Sequence, residues 1–318
     1  MKHEIKITAV LLFMFLITQL IGLVVIDAYS PLKIIQIEKD GKIVNKTVGG
    51  NVTVPYGMEP PKLEPKIAFG NIFIALVIAI LIFILLMKLK ARTLIHVWFT
   101  LVVFLTVSIA LTALLSRTFP AAEIRFDLVA LVLAIPLTFY KIFRRNLVVH
   151  NLTELLIYPG LAAIFVPILR VWSILLLLIL ISIYDMYAVW KSKIMVNLAK
   201  YQIKNLRVFT GFFVPYLPKK EYQKLQRAKA LKVKGKKMLG KIKVSLALLG
   251  GGDVAFPLLF AGVMLRWGGG LIPALIIVGT STLALLGLFL YSKKGKFYPA
   301  MPFITAGCII GWLITLLL

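Results

Sequence analysis

Two aspartates, Asp185 and Asp253, are the residues of this chain best suited to chemistry, because each interrupts a long apolar stretch. A charged side chain in the middle of a bilayer costs at least about 2.5–3.5 kcal/mol, so it usually faces a bundle interior or water and has a partner. No lysine or arginine is predicted inside the membrane beside either residue, so the two carboxylates are expected to share one proton. One can then activate water while the other polarises a carbonyl group, which is what hydrolysis of a peptide bond requires.

The elements that must position this pair are membrane-spanning helices. Hydrophobic residues make up 60% of the 318 and the mean hydropathy is +0.96, which excludes an ordinary soluble domain. Apolar runs of roughly 20 residues predict an all-α polytopic membrane protein with nine spans. The stretch 155–190 is too long for one span and is divided at Pro167 and Arg170. The predicted spans are 5–27, 67–87, 93–116, 126–143, 152–169, 171–190, 244–265, 271–291 and 297–318.

The distribution of positive charge predicts the orientation of these spans. With nine spans, 27 of the 37 lysines and arginines lie on the side of the N-terminus and 10 on the other side. The positive-inside rule then places the N-terminus in the cytoplasm and the C-terminus outside the cell membrane. Three regions follow: 1–190 with spans one to six, a basic cytoplasmic loop at 191–243, and 244–318 with spans seven to nine.

The two long loops have different predicted roles. The net charge of +25 is concentrated in loop 191–243, where it suits topology and attraction to anionic lipid. This loop lacks aromatic residues at stacking spacing, so no nucleic-acid partner is expected. The segment that begins at Lys191 has helical apolar spacing and is predicted to lie on the membrane surface until PYLP at 215–218. The outer loop 30–66 predicts a small extracytoplasmic hairpin between the first two spans, with glycosylation patterns at Asn45 and Asn51.

The depth of the two aspartates places them opposite each other. Asp185 lies six residues before Lys191, and Asp253 lies ten residues after Lys243, so they are roughly 9 and 15 Å from the inner boundary. They belong to consecutive spans and can therefore meet. The glycines at 250–252 allow close approach of the two helices, and Pro257 is expected to loosen the backbone beside Asp253.

Three short motifs resemble those of the presenilin and signal peptide peptidase family. They are Tyr184-Asp185 in span six, Gly-x-Gly-Asp at 250–253 in span seven, and Pro299-Ala300-Met301 at the start of span nine. The family carries Tyr-Asp, Gly-x-Gly-Asp and Pro-Ala-Leu on those spans, so Met301 is a departure from its pattern. Members of the family are nine-span intramembrane aspartyl proteases, and this compact chain is most similar to the simpler microbial members.

The resemblance implies roles for these positions. Asp185 and Asp253 would be the catalytic pair, and Pro299, Ala300 and Met301 would border the active site and seat substrate. The remaining motif residues are Tyr184, Gly250, Gly251 and Gly252. Tyr184 is interpreted mainly as a packing residue, with a hydrogen bond to the aspartates as the alternative. The resemblance also implies a presenilin-like fold and no obligatory protein partner. No metal or other cofactor is expected, because no cluster of His, Cys and carboxylate residues is predicted inside the membrane.

The predicted function is therefore hydrolysis of peptide bonds within transmembrane segments, such as signal-peptide remnants or single-span proteins. The substrate would enter as a helix from the lipid and unwind. Two alternatives stay open: a prepilin-type Gly-x-Gly-Asp peptidase, and a proton- or cation-coupled transporter that uses the two acids. A catalytically silent scaffold is a third.

Overall fold

The computed structural model describes residues 5–30, 32–39, 42–49, residue 70, pairs of residues between 74 and 89, 91–121, 124–144, 146–192, 210–216, 245–292 and 298–317. These residues form eight helices and four strands. The helices are α1 (Ile5–Tyr29), α2 (Arg92–Thr118), α3 (Phe126–Phe139), α4 (Leu147–Phe165), α5 (Val171–Tyr187), α6 (Gly251–Trp267), α7 (Leu271–Tyr291) and α8 (Met301–Leu316). The strands are β1 (Leu32–Lys39), β2 (Lys42–Gly49), β3 (Gly211–Tyr216) and β4 (Ser245–Gly250).

Six of the helices are long and apolar enough to cross a membrane, and α8 is a shorter apolar helix. Their outward faces carry large apolar side chains; Trp172 on α5, for example, is 70% exposed. Such faces are suited to contact with lipid chains. Most of the second predicted span, 67–87, lies outside the described residues, so the count of nine spans stays a prediction.

The division of the stretch 155–190 is confirmed. Helix α4 ends at Phe165, a turn follows, and α5 begins at Val171 with Arg170 as its extended N-cap residue. A π-helical turn, Ala188–Ser192, extends the far end of α5. The surface segment predicted after Lys191 lies largely outside the described residues.

Two small antiparallel sheets accompany the helices. Strands β1 and β2 pair within the loop for which a hairpin was predicted, with Leu32 opposite Gly49 and Lys39 opposite Lys42. The position of this hairpin relative to the membrane stays a prediction, as do the glycosylation patterns.

The second sheet corrects the predicted seventh span. Residues 244–265 were expected to be one helix, but β4 is a strand and α6 begins only at Gly251. Strand β4 pairs with β3, with Gly211 opposite Gly250 and Tyr216 opposite Ser245. A short apolar run such as SLALLG cannot be assigned to helix or strand by periodicity alone. Here a strand from the basic loop satisfies its backbone groups, and the glycines that follow give little support to a helix through this point.

Close contacts between helices bring α6 into the centre of the bundle. Its residue Leu258 packs against Gly22 of α1, and Gly262 packs against Ile26 of α1. The side-chain amide of Gln19 on α1 donates a 2.9 Å hydrogen bond to the Val254 carbonyl. Helix α6 continues through the buried Pro257, so the loosened backbone expected there is absent from the helical residues that the structure describes.

Candidate active site

Asp253 lies in the first turn of α6, and the end of the second sheet places it there. Gly250 is the last residue of β4 and also the N-cap residue of α6, in an extended conformation with φ −64° and ψ 145°. The Asp253 carboxylate folds back toward this residue, since a Cβ atom added to Gly250 would lie 3.0 Å from Asp253 Oδ2. An acid at the third helical position that reaches back to the N-cap backbone forms half of a capping box. The strand end and the acid are therefore one local structural unit.

Asp185 lies in the last turn of α5 and meets the start of α8. Its side chain is almost fully buried, and its Oδ2 accepts a 3.1 Å hydrogen bond from the backbone N–H of Met301. Backbone N–H groups in the first turn of a helix lack partners within the helix and attract an anion. The PAM segment therefore holds Asp185 through its backbone, while the Met301 side chain is buried in the hydrophobic core.

The two aspartates come together at the contact between α5 and α6. They are close enough for the charge of Asp185 to act on the Asp253 carboxyl group. One turn away from Asp185, the Ser182 hydroxyl donates a 2.7 Å hydrogen bond to the Thr305 hydroxyl and so ties α5 to α8. Both acids are thus held by neighbouring elements.

The other predicted site residues differ in their surroundings. Pro299 is buried and Ala300 is half-buried. Tyr184 is 49% exposed although Asp185 beside it is buried, so its side chain points away from the buried face of α5. Gly252 is exposed, whereas Gly251 packs against the Tyr158 hydroxyl. Any hydrogen bond from Tyr184 to the aspartates stays a prediction.

Sequence reasoning missed a buried polar cluster next to Asp253. Lys141, His150 and Glu154 were not singled out from the sequence, and the structure buries all three. The reason is that α4 begins at Leu147, five residues earlier than predicted, where the Asn146 side chain accepts hydrogen bonds from the N–H groups of its first turn. The spacing of His150, Glu154 and Tyr158, four residues apart in an apolar helix, was the signal that could have revealed one polar helix face.

Among the described ranges, no group of three or more His, Cys, Asp or Glu side chains is arranged to hold a metal ion. The expectation that the reaction needs no cofactor stays a prediction. The chemistry available in the described site is that of two carboxyl groups.

These features describe a helical membrane protein with two interacting carboxyl groups inside its bundle. The family model "Signal-peptide peptidase, presenilin aspartyl protease" matches residues 55–318. The chain belongs to this family, and it is a multi-pass membrane protein and an intramembrane aspartic endopeptidase. The predicted family is thereby confirmed, and the family match favours a protease of this family over a prepilin peptidase, a transporter or a silent scaffold.

The fold agrees with this membership. Two solved structures, both of a presenilin family intramembrane aspartate protease, resemble the chain. The one in space group C222 has a TM-score of 0.60 and 19% identity, covering 98% of each chain. The one in space group P2 has a TM-score of 0.59 and 19% identity, covering 96% of each chain. No curated protein sequence matches the chain.

Proposed function

We propose that Asp185 and Asp253 are the catalytic pair and that they hydrolyse peptide bonds within transmembrane segments. The observation that carries this proposal is the meeting of the two carboxyl groups, one in the first turn of α6 and the other held by the Met301 N–H. Because the charge of one carboxyl group acts on the other, both cannot ionise cheaply, and in this proposal they hold one proton between them. The pair, and not either residue alone, then titrates.

The proposed reaction uses this shared proton directly. The ionised carboxylate takes a proton from water, and the water oxygen bonds to the carbonyl carbon of the substrate. The protonated carboxyl group gives its proton to the carbonyl oxygen, which yields a tetrahedral diol. The C–N bond then breaks: the amine leaves with a proton from the carboxyl group that had taken one from water, and one diol hydroxyl gives its proton to the other carboxylate. The new carboxyl group stays on the other fragment and the pair again holds one proton.

The sheet beside Asp253 supports an extended substrate. One edge of β3 is occupied, because the Asn151 amide donates to the Phe213 carbonyl at 2.8 Å and its oxygen accepts from the Phe213 N–H at 3.0 Å. Among the described residues, no strand lies on the other side of β4. An unwound substrate segment can therefore add to β4 as a further strand, which presents its backbone next to Asp253. In this proposal the glycines at 250–252 and the PAM segment line the substrate path.

The proposed arrangement in the cell membrane has nine spans, with the N-terminus cytoplasmic and the hairpin of β1 and β2 outside. The charge distribution supports it, since the basic loop 191–243 then faces the cytoplasm. Substrates would be signal-peptide remnants or single-span membrane proteins, cleaved without an obligatory protein partner.

The test is cleavage of a reporter transmembrane segment by the purified protein in detergent or bicelles, with the fragments identified by mass spectrometry. Asp185→Asn, Asp253→Asn and Asp253→Ala should each abolish cleavage while the protein stays folded. Asp127→Asn is the matched control, because Asp127 pairs with Arg125 on an exposed surface and should keep its activity. Cleavage retained by the Asp253→Ala protein would rule out the proposed pair.

A further inference from the structure

A buried chain of polar contacts runs from the π-helical turn Tyr140–Arg144, which follows α3, into α4. The Lys141 amino group and the Glu154 carboxylate lie 2.5 Å apart, and their side chains are 2% and 0% exposed. The other oxygen of this carboxylate accepts a hydrogen bond from the Tyr158 hydroxyl. The order of contacts is thus Lys141, Glu154, Tyr158, and every member lies inside the bundle.

The Tyr158 end of this chain touches the turn that carries Asp253. A Cβ atom added to Gly251 would lie 2.8 Å from the Tyr158 hydroxyl oxygen, so the hydroxyl packs directly on that glycine. The charge of Asp253 also acts on Tyr158. The Tyr158 hydroxyl therefore lies between the buried ion pair and the first turn of α6.

The same cluster also holds the sheet that leads into this turn. The Lys141 amino group lies 3.3 Å from His150 Nδ1, and because a lysine ammonium can only donate, Nδ1 must accept. The proton of neutral His150 is then on Nε2, which donates to the Gly211 carbonyl at 2.9 Å. Gly211 pairs with Gly250, the N-cap residue of α6. The cluster therefore holds both the strand and the helix turn beside Asp253.

A contact that only stabilised the packing of these helices would not need buried charged groups. Replacing a buried ion pair by apolar side chains of similar volume is often neutral or stabilising, so charge is a costly way to join α3 and α4. The polar groups here end on the turn of Asp253 and not in the surrounding core. A catalytic carboxyl group such as that of Asp253 must stay in one position, and a fully hydrogen-bonded polar network beside it makes that position rigid.

We propose that Lys141, Glu154 and Tyr158 are positioning residues that hold the Asp253 turn and its electrostatic surroundings for catalysis. This inference rests on the proposed catalytic role of Asp253. Among the described residues, two ionisable groups act on the Tyr158 hydroxyl: Glu154 by a hydrogen bond and Asp253 by its charge. Lys141 and His150 contact Glu154 in turn, and Asp185 acts on Asp253.

The decisive variant is Tyr158→Phe, which removes one hydroxyl and keeps the ring. Its kcat for a reporter transmembrane peptide should fall roughly tenfold to a hundredfold, because a small displacement of a catalytic group has effects of that size. KM should stay within about twofold, and the pH profile of kcat/KM should shift, since a neighbour of the pair is lost. Tyr29→Phe is the control. It also removes one tyrosine hydroxyl, which donates a hydrogen bond to the Ile109 carbonyl far from Asp253, and it should leave kcat and the pH profile unchanged.

Thermal unfolding of each variant in detergent separates positioning from folding. A folded Tyr158→Phe protein with the kcat and pH profile of the unchanged protein would overturn the proposal. If that variant does not fold, Glu154→Gln is judged by the same criteria, since glutamine keeps an acceptor for Tyr158 and removes the charge. Loss of the fold in both variants would mean that these residues serve folding alone, and it would also overturn the proposal.

Failure of the positioning role can be distinguished from failure of the proposed catalytic pair. Cleavage by Asp253→Ala would overturn the pair itself. An inactive Asp253→Ala protein together with a fully active Tyr158→Phe protein would leave the pair in place and remove only the positioning role.

Discussion

Helices α2 and α4 pack closely against each other at Gly160. Gly160 of α4 faces the backbone of Thr106 in α2, and a Cβ atom at residue 160 would lie 2.0 Å from the Thr106 carbonyl oxygen and 2.7 Å from its carbonyl carbon. Ordinary contact begins at 3.4 Å, so Gly160→Ala requires the helices to separate locally by about 1.4 Å. No rotamer change can relieve this clash, because the obstructing atoms are backbone.

Overpacking of a dense interior typically costs about 1–3 kcal/mol, and we expect Gly160→Ala to lie at the upper end of that range. Activity should also fall, because Tyr158 lies two residues away on the helix that must move. Gly279→Ala is the matched control, since nothing lies within 4 Å of its added Cβ. That variant should be as stable as the unchanged protein or gain up to about 1 kcal/mol from the better helix propensity of alanine.

The assay is reversible unfolding in detergent micelles, followed by circular dichroism, with cleavage of a reporter peptide measured on the same samples. Stability of the Gly160→Ala protein equal to that of the Gly279→Ala protein would refute the reasoning. It would show that α2 and α4 do not approach as closely as their backbone contact indicates.

Three further predictions concern the site and its supports. Met301→Leu introduces the leucine of the family motif, conserves side-chain volume and keeps the N–H that binds Asp185. The free energy of unfolding should therefore change by less than about 1.5 kcal/mol, and cleavage should persist. An inactive, folded variant would contradict this. The pH profile of cleavage should be bell-shaped, because one carboxyl group must be ionised and the other protonated; a rate that is flat from acid to alkaline pH would count against the shared proton. Asn151→Ala removes both side-chain hydrogen bonds to the partly buried backbone of Phe213, so the Phe213 amide should exchange faster by hydrogen-exchange mass spectrometry. Unchanged exchange would show that the edge of β3 has other support.

Several features were predictable because they depend on local composition. Hydropathy over a window of about 20 residues is sufficient to find a span, and Pro167 with Arg170 marks the break between α4 and α5. The paired aspartates were also predictable, because a carboxylate in an apolar span is rare and calls for a partner. The three short motifs then indicated the family to which the chain belongs.

Other features depended on partners that are distant in the sequence. The run SLALLG became a strand because β3, about thirty residues earlier, supplies the hydrogen bonds that a helix would otherwise provide internally. Lys141 could be recognised as buried only once Glu154 was found opposite it. The sequence by itself determined that the chain spans a membrane and that Asp185 and Asp253 interrupt its apolar spans, since both follow from the cost of transferring each segment into lipid; the burial of a further acid, Glu154, appeared only in the structure. Only the tertiary structure decided that Met301 holds Asp185 through its N–H and that Tyr158 supports the turn of Asp253, because these contacts form where separate helices and strands meet.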